Sequence, residues 1–100
     1  MVDDDKLILR VLEEFLTQKG FEPTLATDGE QAERIFSTEQ FDVLLIDVMM
    51  PKMGGIELLQ RIKEKDPEVP VILITASGQI ETAVEAMKKG AYDYLTKPIN

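Results

Sequence analysis

The chain contains no cysteine and no histidine. These two absences exclude disulfide bonds, thiolate chemistry, imidazole catalysis and the commonest zinc sites. Its longest apolar runs, residues 43–46 and 71–74, fall far short of the roughly 18 residues that a membrane span needs. Any chemistry must therefore rest on carboxylates, hydroxyls and amines, and the composition predicts a cytoplasmic protein without a membrane segment.

Basic side chains are also scarce. The chain has nineteen acidic and eleven basic residues, which gives a net charge of -8. Such a charge repels nucleic acid and anionic lipid, so we expect no direct contact with DNA or a membrane surface. With 100 residues, 44% of them hydrophobic, the chain has the size of one small domain, and we predict a single domain over residues 1–100.

Apolar residues alternate between two patterns along the chain. Continuous β-branched and aliphatic runs predict buried strands, and runs with helical spacing between them predict amphipathic helices. The predicted strands are Phe21–Ala26, Phe41–Asp47, Val71–Thr75 and Ala91–Leu95. Strands that alternate with helices of this length are typical of βαβ units, so the sequence predicts an α/β fold with a parallel sheet and helices in outer layers.

Polar residues follow the predicted strands at the point where each one ends. They are Asp3, Asp4, Asp47, Thr75 and Lys97. Because ligands of open parallel sheets bind beyond the carboxyl ends of the strands, we expect these side chains to converge. Two carboxylates about 4 Å apart repel by about 4 kcal/mol at an effective dielectric near 20, so the site needs a cation. Oxygen ligands with room for water favour Mg²⁺.

The motifs at these strand ends resemble those of one known family. They are Val2-Asp3-Asp4, Asp47 with Met50-Pro51 and Gly55 behind it, Thr75-Ala76, and Tyr94-Leu95-Thr96-Lys97-Pro98. Together they resemble a bacterial two-component response-regulator receiver domain of flavodoxin-like fold, and most closely the nitrogen-regulator type. The resemblance covers nearly the whole chain and implies a three-layer, doubly wound parallel sheet with strand order 2-1-3-4-5.

Two features depart from the family pattern. Only Met1 and Val2 precede the first acids, although the first strand of this fold is central and should run about five residues. The chain also reaches Asn100 without a fifth helix. The expected domain is therefore incomplete at both ends, with a truncated first strand and a missing fifth helix, and its exposed apolar surface predicts marginal stability or self-association.

The resemblance implies a phosphoryl-accepting site. Asp47 would be the phosphoacceptor, an aspartate used as a nucleophile. Asp3, Asp4 and Asp47, together with the backbone carbonyl of Met49, would hold Mg²⁺, which would screen the attack of one anion on another.

The remaining roles concern the phosphoryl group and the switch. Thr75 would donate a hydrogen bond to a phosphoryl oxygen and Lys97 would pair with another, which makes both catalytic side chains. Pro98 would follow a cis peptide that turns Lys97 into the site. Movement of Thr75 toward the phosphoryl group would free space for Tyr94, so these two residues would form the switch.

The implied partners follow from the same family. A sensor histidine kinase or a phosphotransfer protein would supply the phosphoryl group, an output domain outside this chain would receive the signal, and a homodimer is an option. The protein would not be an enzyme beyond its own phosphotransfer and dephosphorylation.

Other interpretations of the same residues remain open. Acidic residues at positions 3 to 5 are also common at a helix start, where the helix dipole favours them. A haloacid-dehalogenase-like phosphatase also uses a strand-end aspartate with Mg²⁺, but it needs a second aspartate where this chain has Met49. A flavodoxin-like interaction or cofactor-binding module that is never phosphorylated is the third option, although the acids after Val2 would repel a phosphate.

Overall fold

A computed structural model describes residues 1–48, 53–75 and 80–96. Strands and helices alternate from residue 44 onward. Two helices come first along the chain. The elements are α1 (Lys6–Gln18), α2 (Gly29–Thr38), β1 (Leu44–Asp47), α3 (Gly55–Lys65), β2 (Val71–Thr75), α4 (Ile80–Lys88) and β3 (Asp93–Thr96). No helix in these described ranges combines the length and the apolar character that crossing a bilayer requires.

The sheet is parallel and runs in the order β1-β2-β3. Single parallel bridges extend it beyond β1, because Val2 pairs with Ile46 on one side and with Ala26 on the other. The N-terminal residues therefore lie in the interior of the sheet. The order Ala26, Val2, β1, β2, β3 agrees with the predicted order 2-1-3-4-5, and the first strand is reduced to one bridging residue.

The predicted strand Phe21–Ala26 is wrong except at its last residue. Residues 21–25 have no strand assignment, and only Ala26 forms a bridge. Ala26 is bonded to the adjacent segment of the sheet, its N–H donating to the Met1 carbonyl at 2.9 Å and its carbonyl accepting from the Asp3 N–H at 3.2 Å. Pro23 has no N–H to donate, so it would interrupt a longer ladder of hydrogen bonds.

Two further strand boundaries differ from the sequence prediction. The strand predicted from Phe41 begins at Leu44, whose N–H donates to the Pro70 carbonyl at 3.0 Å, because β2 offers no partner before that point. The strand predicted over Ala91–Leu95 is shifted to Asp93–Thr96. The Ala91 N–H donates to the Ala86 carbonyl of α4, so this residue belongs to the end of the helix and not to the strand.

Side chains at the helix starts fix where α1 and α2 begin. The Asp5 carboxylate accepts hydrogen bonds from the N–H groups of Leu7 and Ile8, and the Asp28 carboxylate accepts one from Gln31. Each satisfies backbone donors that have no partner within the helix. Asp5 therefore has the structural role that acids near a helix start often have, while Asp3 and Asp4 precede the helix.

The main apolar cluster joins the sheet to α2, α3 and α4. Its fully buried members are Ile46, Leu58, Leu59, Val71 and Leu73, each 0% exposed. Leu9 of α1 is also buried but does not belong to this cluster. The sheet thus has one face covered by three helices and a second region covered by α1, as in a three-layer α/β fold.

Candidate functional site

The ends of two neighbouring chain segments bring acidic residues together. Val2 lies beside β1, its N–H donating to the Leu45 carbonyl and its carbonyl accepting from Asp47 N–H, each at 2.8 Å. Because the two segments are parallel, the residues that follow Val2 emerge at the same edge as Asp47. The sheet itself therefore places Asp3 next to Asp47.

Three carboxylates form a compact cluster at this edge. Asp3, Asp4 and Asp47 each offer one oxygen, and these oxygens all lie within 4.8 Å of one another. Asp3 is 1% exposed and Asp47 is 4% exposed, whereas Asp4 lies at the surface. Asp3 also accepts the Asp5 N–H at 2.9 Å, which holds the acidic turn in place.

The donor set of this cluster fits a hard divalent cation. The three carboxylate oxygens lie within 4.8 Å of one another, close enough for one divalent ion to attract all three. Carboxylate oxygens with one open, solvated side suit Mg²⁺, which keeps several of its waters. These residues could therefore hold the metal that the sequence analysis predicts.

Thr75 ends the strand next to Asp47. Asp47 pairs with Ile74 across β1 and β2, and the Val48 N–H donates to the Ile74 carbonyl at 3.0 Å. Thr75 is 0% exposed, and its hydroxyl has no hydrogen-bond partner among the described residues. A buried hydroxyl in this condition is costly for the fold, which is typical of a group reserved for a ligand.

Tyr94 lies one strand further along the sheet. It pairs with Leu73, while Thr75 pairs with Thr96. Since side chains alternate along a strand, Leu73 and Thr75 project to the same face, and Tyr94 shares that face as the diagonal neighbour of Thr75. Tyr94 is half-buried and packs against the main apolar cluster. A movement of the Thr75 side chain would therefore change the immediate surroundings of Tyr94.

Three predicted site residues lie outside the described residues. They are Met49, Lys97 and Pro98. The structure therefore brings together Asp3, Asp4 and Asp47, and Thr75 ends the neighbouring strand one residue after the partner of Asp47. The predicted roles of the other three residues stay predictions.

The site also depends on a backbone contact that sequence reasoning did not single out. The Gly55 N–H donates to the Val48 carbonyl at 2.9 Å. A Cβ on Gly55 would meet the Asp47 carbonyl oxygen at 2.5 Å, so only glycine fits between α3 and the end of β1. The pair Gly54-Gly55 was the available signal, because two adjacent glycines at a helix start often mark a close backbone approach.

Comparison with known proteins decides the family. The model of the response regulator receiver domain family matches residues 1–100, the whole chain. The chain is a response-regulator receiver domain. As such it belongs to two-component signal transduction, and the family predicted from the strand-end motifs is confirmed.

Solved receivers share the fold. The receiver domain of NtrX from Brucella abortus superposes with a TM-score of 0.95 at 34% identity, covering 99% of this chain and 84% of that one. A receiver domain protein from Clostridium thermocellum gives a TM-score of 0.94 at 36% identity, covering 99% of this chain and 80% of that one. The predicted flavodoxin-like α/β fold is confirmed.

The curated relatives are much longer proteins. The receiver is 43% identical to the DNA-binding transcriptional regulator NtrC of Klebsiella pneumoniae over 100 residues, which are 100% of this chain and 21% of that protein. It is 40% identical to the regulatory protein AtoC of Escherichia coli K12, where the match spans 22% of the relative. The chain thus spans about a fifth of the length of these relatives.

Proposed function

We propose that this receiver accepts a phosphoryl group on Asp47 in a Mg²⁺-dependent reaction. The observation that carries the proposal is the cluster of three carboxylates whose oxygens lie within 4.8 Å of one another. Asp47 is the member at the end of the buried strand β1, and Asp3 and Asp4 are supplied by a separate segment. This division gives one nucleophile and two residues that hold a cation beside it.

A phosphohistidine can donate the phosphoryl group to Asp47 in a balanced reaction. A carboxylate oxygen of Asp47 forms a bond to phosphorus while the bond from phosphorus to the imidazole nitrogen breaks. The imidazole leaves with that electron pair and takes up a proton, and the product is an acyl phosphate. No oxidant, reductant or further co-reactant is needed. A small phosphoryl donor such as acetyl phosphate reacts in the same way, with acetate as the leaving group.

Asp3 and Asp4 would hold Mg²⁺ with Asp47, and the Met49 carbonyl would complete the protein ligands. The ion supplies charge neutralisation between the carboxylate and the incoming phosphoryl oxygens. The burial of Asp3 and its hydrogen bond from Asp5 N–H support a fixed position for this ligand, because a ligand already held in place loses little entropy on binding.

Thr75 and Lys97 would bind the phosphoryl oxygens once the group has arrived. The Thr75 hydroxyl is buried without a hydrogen-bond partner in the described ranges, so it can donate to a new acceptor without breaking an existing bond. Lys97, which a cis bond before Pro98 would orient, would add a positive charge. Tyr94 would then occupy the space that Thr75 leaves and change the α4 and β3 surface.

The proposed partners follow from the family and from the lengths of the relatives. A sensor histidine kinase or a phosphotransfer protein would supply the phosphoryl group. An output domain joined to the receiver would read the changed surface, since the curated relatives extend far beyond the matched region. The receiver would catalyse only its own phosphorylation and dephosphorylation.

Intact-mass spectrometry after incubation with acetyl phosphate tests this proposal. We expect one phosphoryl adduct in the presence of Mg²⁺, little adduct with a chelator, and none in Asp47→Asn. Asp42→Asn is the matched control, because Asp42 is an exposed aspartate just before the same strand and its loss changes the net charge equally. An adduct that persists in Asp47→Asn contradicts the proposal. Continuous phosphate release from simple phosphate esters would instead indicate a phosphatase.

A further inference from the structure

Helix α3 begins without the side-chain cap that starts α1 and α2. Its cap residue is Gly54, which has no side chain to accept hydrogen bonds from the first turn. The N–H of Gly55, the first helical residue, donates instead to the Val48 carbonyl at 2.9 Å. The first N–H groups of a helix have no partner within it, so such a bond helps to fix where the helix begins. The start of α3 is therefore tied to the segment that carries Asp47.

A buried methionine stands directly before this cap. Met53 is 5% exposed and belongs to the main apolar cluster, as does Leu58, which is 0% exposed and is the fourth residue of α3. An apolar residue before the cap and another at the fourth helical position are the two halves of a hydrophobic staple, which fixes the angle at which the chain enters a helix. The sequence thus supplies an apolar anchor where α3 has no polar cap.

The Met53 side chain also lies against the start of α2. A Cβ on Gly29, the first residue of α2, would meet the Met53 sulfur at 2.9 Å and the Met53 Cβ at 3.0 Å. The same end of α2 is held by the Asp28 carboxylate, which accepts the Gln31 N–H at 2.8 Å. Met53 therefore occupies space that only glycine at residue 29 leaves free, and it packs between the starts of two helices.

We infer that Met53 is a positioning residue of the phosphoacceptor site. Met53 fixes the entry of α3, and Gly55 at that entry binds the Val48 carbonyl and lies against the Asp47 carbonyl, which a Cβ would approach to 2.5 Å. Because protein interiors are close-packed, a displacement at one contact is passed on to the next. Met53 acts through Gly55 and not through contact with the reacting atoms. The kinetic consequence rests on the proposed function of Asp47.

Positioning differs from simple packing in what a smaller side chain changes. A misplacement of reacting groups by about 1 Å can slow a reaction roughly 100-fold. A residue that only fills the core changes the fraction of folded protein and leaves the rate of the folded protein as it was. Met53→Val and Ile62→Val form a matched pair, because each removes one non-hydrogen atom from a buried side chain. Ile62 is 1% exposed and lies on the buried face of α3.

Amide hydrogen exchange followed by NMR tests the anchoring step without any phosphorylation. In Met53→Val, the Gly55 amide should exchange about 5-fold faster relative to the Leu73 amide, as expected when the net contribution of one hydrogen bond is lost. Leu73 is fully buried in β2 and reports global unfolding. Ile62→Val should leave the ratio unchanged. An unchanged ratio in Met53→Val, or the same change in both variants, overturns the inference.

The rate of adduct formation with Mg²⁺ and acetyl phosphate tests the consequence for Asp47. Met53→Val should react about 10-fold more slowly than the wild type, a part of the cost of a 1 Å misplacement, and Ile62→Val should keep the wild-type rate. Met53→Leu should retain most of the rate because it conserves volume. Circular dichroism checks that each variant is folded. Equal rates in Met53→Val and Ile62→Val overturn the inference. A wild type that forms no adduct overturns the proposed function instead, and hydrogen exchange then decides this inference.

Gly29→Ala approaches the same contact from α2. The added Cβ must displace the Met53 side chain, so Gly55 exchange should become faster and adduct formation slower, as in Met53→Val. Glu30→Ala is the control, because Glu30 is an exposed residue in the first turn of the same helix, and it should change neither quantity. If Gly29→Ala also changes neither, Met53 can move without moving Gly55, and the inference is overturned.

Discussion

Gly55 and Asp47 are in direct backbone contact. A Cβ on Gly55 would lie 2.5 Å from the carbonyl oxygen of Asp47 and 2.7 Å from the Cα of Val48. Helix α3 therefore begins directly against the end of the strand that carries the proposed phosphoacceptor. A single added methyl group at residue 55 must displace one of these two segments.

We predict that Gly55→Ala destabilises the domain by about 1 to 3 kcal/mol, the usual cost of overpacking a tight site. The displacement of Asp47 should also reduce the yield of phosphoryl adduct. Urea denaturation measures the first effect. Gly54→Ser is the matched control, because a Cβ at residue 54 has its nearest neighbour at 3.9 Å and serine is a good helix cap. Equal stability of the two variants would contradict the contact.

The second prediction concerns the carboxylate cluster. Asp4→Asn should change stability without divalent ions by no more than about 1 kcal/mol, because Asp4 lies at the surface, where a single charge contributes little. It should also abolish most of the rise in melting temperature that Mg²⁺ gives the wild type, since that rise reports binding to the folded state. Thermal denaturation with and without Mg²⁺ measures both effects. If Asp4→Asn and the exposed control Asp42→Asn respond equally to Mg²⁺, the metal assignment is wrong.

The third prediction separates structure from function at Thr75. Thr75→Val should leave stability unchanged or raise it by about 1 kcal/mol, because it removes a buried hydroxyl that forms no hydrogen bond with the described residues. The same variant should accept the phosphoryl group more slowly, whereas Thr75→Ser should retain most of the rate. Urea denaturation and the rate of adduct formation measure the two effects. A large loss of stability in Thr75→Val would mean that the hydroxyl has a structural role.

The fourth prediction is a pH dependence at the surface between α2 and α3. Burial raises the pKa of Glu33, but hydrogen bonds and charge from Lys65 and Arg61 outweigh it and hold the pKa below the usual 4.5. The ion pairs are short, at 3.1 Å to Arg61 and 3.4 Å to Lys65. A lowered pKa stabilises the folded state above the ordinary pKa, and that contribution is lost as the pH falls through the folded-state value.

Glu33→Gln should therefore cost up to about 1 kcal/mol at neutral pH, a typical value for exposed ion pairs. The cost should shrink once the pH falls below 4.5, the ordinary pKa. Denaturation curves of both proteins between pH 3 and pH 7 measure the difference. Glu30→Gln on the same helix is the control and should show no such trend. A cost that is independent of pH would contradict the ion-pair explanation.

The extent to which the sequence predicts this structure varies with the kind of signal. Val71–Thr75 was predicted at its observed bounds, because an aliphatic run between Pro70 and small residues leaves little freedom. The strand predicted from Phe21 failed, because only Ala26 pairs with a neighbouring segment and Pro23 has no N–H to donate to a ladder. Pairing is a property of two segments, and local patterns describe only one.

The convergence of the three acidic residues was predicted better than the strand edges. Asp3, Asp4 and Asp47 meet as expected, because parallel strands place their carboxyl ends at one edge whatever their lengths. The close approach of Gly55 to Asp47 was not predicted as a contact, since a glycine in a sequence does not indicate which atom lies beside it.

The most direct test of the central claim is to locate the phosphoryl group chemically. After phosphorylation with Mg²⁺ and acetyl phosphate, borohydride reduces an acyl phosphate to an alcohol, and tandem mass spectrometry of the digested protein then identifies the reduced residue. The account predicts reduction at Asp47 and at no other aspartate. Reduction at Asp3 or Asp4, or a phosphoryl adduct on a hydroxyl that borohydride leaves unchanged, would contradict it.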